Sequence, residues 1–141
     1  MDTTNLVDAL DDARTLAEVQ GITREMGDAI AALAEAELDE GRPEIARAIL
    51  EGLVVTNHLD AGAWSLLSRA HRRLELPLAA RFCAEVAVRL APEDGFARLA
   101  RAESLLASAT DRAEGRAELV RLAADPLTAD RAAALLAALG G

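Results

Sequence analysis

Two histidines, one cysteine and one tryptophan, all the chain has of each, fall within HLDAGAWSLLSRAHRRLELPLAARFCAEVAVRLAP, residues 58–92. An imidazole beside a thiol could act as a base–nucleophile pair. Imidazoles with a thiolate could ligate zinc. The spacing argues against both. His58, His71 and Cys83 fit no zinc-binding pattern, so no metal is expected. Cys83 lies on a stripe of Ala79, Phe82, Val86, Ala87 and Leu90 with helical spacing. A buried cysteine there acts as a small hydrophobe. His71 takes a packing position, His58 a turn, and Trp64 the place of a packing anchor. The chain has no glycine-rich phosphate loop, no His-Glu-x-x-His and no nucleophile elbow. Paired acids such as Asp11–Asp12 and Glu93–Asp94 fall at helix starts or on polar faces. The expectation is a protein that is not an enzyme and needs no cofactor.

What positions these residues is an internal repeat. A shift of 34 residues places Ile30 on Trp64, Leu33 on Leu67, Ala34 on Ser68, Ala46 on Ala80, Ile49 on Cys83, Val54 on Val88 and Asp60 on Asp94. That is the period of a tetratricopeptide helix–turn–helix unit. Counted from Ala61, the chain carries Trp64, Leu67, Ser68, Ala80, Ala87 and Pro92 where such a unit needs bulk, small residues for close helix approach, and a helix stop. Counted from Gly27, Ile30, Leu33, Ala34, Gly41 and Ala46 repeat the pattern. Gly41 in DEGRP is expected to take positive φ at the inter-helix turn. A third unit is looser. Phe96, Leu99, Ala102 and Leu106 share one helix, and Asp111 is expected to cap the next. Ala117 comes about three residues late for its slot, which predicts an insertion near Ser108–Thr110.

Outside the repeats, Thr4 or Asn5 could cap a first helix with Leu6, Leu10, Ala13 and Ala17 on one face, closed by Gly21. It reads either as a cap on the array or as an arm that binds a second copy. Thr128 is expected to cap a last helix covering the open end of the stack. The fold class is therefore all-α. An N-terminal helix (1–21) precedes three tetratricopeptide-like repeats in a right-handed superhelix (22–126), and a capping helix with its tail follows (127–141).

Composition agrees with this layout. Hydrophobic residues make up 52 % of the chain but aromatics only 2 %, so the apolar mass is Ala, Leu and Val, which suits packed helices. The net charge is −9, and residues 1–60 hold 14 Asp and Glu against 4 Arg. Nucleic acid is a poor partner for such a chain, because binding it rests on neutralised phosphates. All 15 basic residues are Arg, whose flat fork suits bidentate recognition. The acidic start lacks a signal-peptide pattern. No apolar run approaches the ~20 residues of a membrane span, and one Cys forms no internal disulfide. A reducing cytoplasm is the expected location.

Repeat arrays build a concave face mainly from the first helix of each unit. Its second, fifth, ninth and twelfth positions are Asp28, Ala31, Glu35 and Leu38, then Gly62, Ser65, Arg69 and Arg72, then Phe96, Leu99, Glu103 and Leu106. This predicts a partner-binding groove with an acidic end, a basic middle and an apolar end, suited to an extended peptide.

Read together, DEGRPEIARAILEGLVVTNHLDAGAWSLLSRAHRRLELPLAA and FARLARAESLLAS, framed by an acidic first helix and a closing helix, resemble the class II translocator chaperones of bacterial type III secretion. The shared features are the Gly41-to-Ala46 spacing, the His58-Leu59-Asp60 turn, the helix from Trp64 to Arg72, and Ala102-Glu103-Ser104-Leu105-Leu106. The resemblance spans about residues 20–125. It implies a small, acidic, cytosolic protein of three helical repeats that often dimerises through its N-terminal region and keeps a hydrophobic secreted client soluble. Family grooves are rich in Tyr and Phe, whereas this chain has no Tyr and two Phe. A general adaptor or assembly scaffold, or a needle-subunit co-chaperone, are the alternative readings.

Overall fold

Helix starts and stops follow from local chemistry. A computed structural model describes residues 15–140, and these form helices joined by turns, with no strand among the described residues. The first helix, α1 (Leu16–Gln20), begins where Thr15 Oγ1 accepts the Glu18 amide at 3.1 Å and ends at Gly21, φ 77°. The capping residues and most of the apolar face expected for an N-terminal helix lie outside the described residues. Helix α2 (Arg24–Asp39) is capped by Thr23. Pro43 occupies the first turn of α3 (Pro43–Thr56), where its missing N–H costs nothing. Asp60 caps α4 (Ala61–Arg73), Pro77 starts α5 (Pro77–Leu90), and Asp94 caps α6 (Gly95–Leu105). Helices α7 (Arg112–Leu122) and α8 (Ala129–Ala138) complete the chain.

The pairs α2–α3, α4–α5 and α6–α7 pack as hairpins, and each hairpin packs on the next. The 34-residue register is visible in burial. Ala34, Ser68 and Ala102 are each fully buried, as are Ala46 and Ala80. Small residues at these points let the helix axes close up. Ser68 adds a tie, its hydroxyl donating to the Ala80 carbonyl at 2.7 Å. One apolar core runs through α2 to α5 and includes Leu38, Leu50, Leu53 and Leu67. A second joins Ala102, Leu119, Leu122 and Ala132 across α6 to α8.

Four local expectations need correction. The third-unit insertion is one residue, since α7 starts 35 positions after α5, whereas α5 starts 34 after α3. The small-residue slot is accordingly filled by buried Gly115, and Ala117 is exposed. Asp111 stands at the start of α7 but makes no capping bond; its carboxylate pairs with Arg81 at 3.2 Å. Thr128 stands at the start of α8, yet its hydroxyl donates to the Leu122 carbonyl at 2.8 Å and fixes the turn. Leu33, placed on the packing side by the repeat, is 64 % exposed, because α2 is the first helix of the first hairpin and its outer side meets no earlier repeat among the described residues. Gly41 takes φ 80° as expected; the same turn in the second unit holds Glu75 at φ 60°.

Candidate binding groove

The first helices of the second and third units, α4 and α6, wall a groove of about 820 Å³, with Glu35 of α2 at one rim and Arg131 of α8 at the other. Ser65, Arg69 and Arg72 share one face of α4 because they are spaced by about a helical turn. Phe96, Leu99 and Glu103 do the same on α6. Eight of the twelve residues singled out as groove-forming line this space: Glu35, Gly62, Ser65, Arg69, Arg72, Phe96, Leu99 and Glu103.

The other four stand elsewhere. Leu38 is fully buried in the core, so it is corrected from groove to packing residue. Ala31 packs against that core. Asp28 faces a second cavity of about 860 Å³ between α1, α2, α3 and the turn before α4. Leu106, the third unit's twelfth position, packs against the C-terminal core. Repeat counting treats the twelfth position alike in every unit. Here only Arg72 reaches the groove, because its long stem carries the guanidinium past the packed layer. Leu66, Arg73, Asp94, Ala100 and Arg131 also line the space. Arg131 had no signal in the repeat, since it lies on the helix that folds back behind the third unit.

The basic middle is mostly neutralised from within. Arg69 donates to Asp39 at 2.8 Å across an exposed contact. Arg72 pairs with Glu103, which also accepts from Arg131 at 2.8 Å. The Glu103 side chain is 8 % exposed and that of Arg72 21 %, so this contact is far better shielded than the Arg69 pair. Burial pushes the Arg72 guanidinium below its ordinary value, with Glu103 pulling it back; it stays cationic at neutral pH. Phe96 stands at the mouth, 53 % exposed. The surface can therefore grip an extended chain by apolar contact, with buried charge fixing orientation.

The residues that opened the chemical question lie off this groove. Burial pushes the Cys83 thiol up to about 11, which leaves almost no thiolate at neutral pH. His71 is buried, and burial followed by the Arg47 charge lowers its ordinary value. Trp64 is half-buried, its indole N–H donating to the His58 carbonyl at 2.9 Å and its ring edge-on to Phe82 at 6.2 Å. Phe82 itself is 62 % exposed and is corrected from core to surface. Among the described residues, no helix is long and apolar enough to cross a membrane.

No family model matches the sequence, and no curated protein matches it. The fold is that of solved type III secretion proteins. The Yersinia enterocolitica type III secretion translocator chaperone SycD superposes with a TM-score of 0.73 at 20 % identity, over 88 % of this chain and 97 % of that one. A type III secretion complex from Aeromonas hydrophila gives 0.80 at 20 % identity, over 96 % and 94 %. SycD in complex with a peptide of the translocator YopD gives 0.65 at 19 % identity, over 83 % and 94 %.

Proposed function

We propose that this chain is a non-catalytic chaperone of type III secretion that holds a hydrophobic translocator as an extended segment in its concave groove. The observation that carries this reading is the groove itself. Leu66, Phe96, Leu99 and Ala100 put apolar surface beside ion-paired Arg72 and Glu103, on a fold that in SycD has been solved with a translocator peptide. A volume of about 820 Å³ falls in the range of formed binding sites. Each apolar client side chain laid there gains about 25 cal/mol per Å² removed from water.

The mechanism needs no nucleotide and no bond chemistry. The chaperone shields client surface that would otherwise self-associate, and release follows when the export machinery competes for the segment. Location in the cytoplasm, and pairing of two copies through the N-terminal helix, belong to the same proposal. The test is affinity co-purification from the native host with mass spectrometry. A hydrophobic secreted protein recovered in stoichiometric amount is the expected result. A needle subunit would support the co-chaperone reading. Ordinary cytosolic proteins would replace the export role with that of an adaptor.

A further inference from the structure

Two buried polar atoms in the groove have no hydrogen-bond partner among the described residues: Ser65 Oγ and Arg72 Nη1. Both side chains line the groove. Buried donors are ordinarily paired, and the exceptions call for an explanation. The charge around them is also incomplete. Glu103 is one carboxylate shared by two guanidiniums, Arg72 and Arg131. Arg69, one turn away, spends its charge on Asp39, which is 61 % exposed and so only weakly tied. The repulsion of Arg131 and Arg69 is felt at Arg72.

We propose, resting on the groove reading above, that the bound segment supplies the missing carboxylate, at Arg72. A second anion there would balance two guanidiniums with two carboxylates. The Arg131 side chain is 59 % exposed and comes from the terminal helix. It can swing outward and admit the ligand to the Arg72 fork, which offers five donors. Ser65 lies seven residues before Arg72, about 10.5 Å along α4. An extended chain covers that distance in about three residues, so the Ser65 hydroxyl donates to a main-chain carbonyl of the same segment. The preferred client motif is an acidic residue flanked by apolar ones, with apolar side chains against Phe96 and Leu99. A peptide's terminal carboxylate offers the same chemistry.

The test uses fluorescein-labelled, C-terminally amidated peptides of alternating leucine and serine with a central Glu, Gln or Lys, read by anisotropy against the full chain. A fourth peptide has the central Gln and a free C-terminal carboxylate. The Glu peptide is expected to bind about tenfold more tightly than the Gln peptide. The preference should shrink to within about twofold in Arg72→Gln, and Ser65→Ala should weaken every peptide alike. Arg131→Gln, on an exposed side chain, serves if Arg72→Gln fails to fold, and should reduce the same preference. If the fourth peptide matches the Glu peptide, the subsite stands and reads a chain terminus. Equal binding of the Glu and Gln peptides, or preference for Lys, overturns the carboxylate subsite while leaving the groove. No binding of any peptide overturns both.

Discussion

Cys83 and His71 are the two side chains whose chemistry the fold suppresses, and their behaviour should report it. With its thiol pushed up to about 11 and its side chain in the core, Cys83 should resist a maleimide at pH 7 and react fully once denaturant opens the fold. Rapid labelling of the native chain would place the thiol at the surface. His71 is buried with Nδ1 unpartnered, near Arg47 and Glu51. Its folded value lies below the ordinary 6.5, so the unfolded chain binds the proton more readily. Stability should be fully present above pH 6.5 and decline as pH falls toward the lowered value. Melting scans from pH 7.5 to 5 should show this slope, and His71→Gln should flatten it. At this scale the sequence was legible for Trp64 and Cys83, because helical spacing assigns their faces. It misplaced Phe82, because one apolar stripe is wider than the contact it makes, and spacing does not say which edge stays in water.

Gly115 decides how closely two helices meet, whereas Gly52 faces open space. A Cβ on Gly115 would lie 2.9 Å from the Ala102 carbonyl oxygen and 3.0 Å from Leu105 Cβ. Helix propensity favours alanine by about 1 kcal/mol. Overpacking at a backbone contact outweighs it, so Gly115→Ala should cost about 1–2 kcal/mol net. At Gly52 in α3 an added methyl would meet nothing within 4 Å, so Gly52→Ala should instead stabilise by about 0.5–1 kcal/mol. Denaturant titrations of the two variants should move in opposite directions. Glu75 occupies the left-handed turn that Gly41 fills in the previous unit. Glu75→Gly should gain about 0.5–1 kcal/mol by relieving strain, less the entropy of a freer chain. The 34-residue register was legible because small residues recur wherever helices must touch. Gly115 was not, because a glycine replaces the alanine of that slot and a one-residue longer turn shifts it. The caps at Asp111 and Thr128 differ from expectation because both side chains have other partners: Arg81, thirty residues away, for Asp111, and the Leu122 carbonyl of the preceding turn for Thr128.

Across the whole molecule, arginines tie successive units together. Arg101 bridges Glu85 of α5 and Glu114 of α7, and Arg81 reaches both Glu85 and Asp111. Partial burial pushes the Glu85 carboxyl up, but hydrogen bonds from Arg81 and Arg101 overcome this and hold it below its ordinary value. Its contribution is present above pH 4.5 and lost as pH falls through the lowered value. Glu85→Gln should therefore blunt acid unfolding in that window, as followed by circular dichroism. The groove's outline was legible from the repeat on α4 and α6. Its charge balance was not, because Asp39, Glu103 and Arg131 meet those arginines only through the stacking of separate helices. The central claim is that an extended, hydrophobic client lies between α4 and α6. It is tested most directly by placing a photo-crosslinking amino acid at Phe96 in the groove, or at Leu78, which is 87 % exposed on α5 away from it, and irradiating the complex in its native host. The account expects a crosslink to a hydrophobic secreted protein from position 96 and none from position 78. A client crosslinked from position 78 and not from position 96 would contradict it.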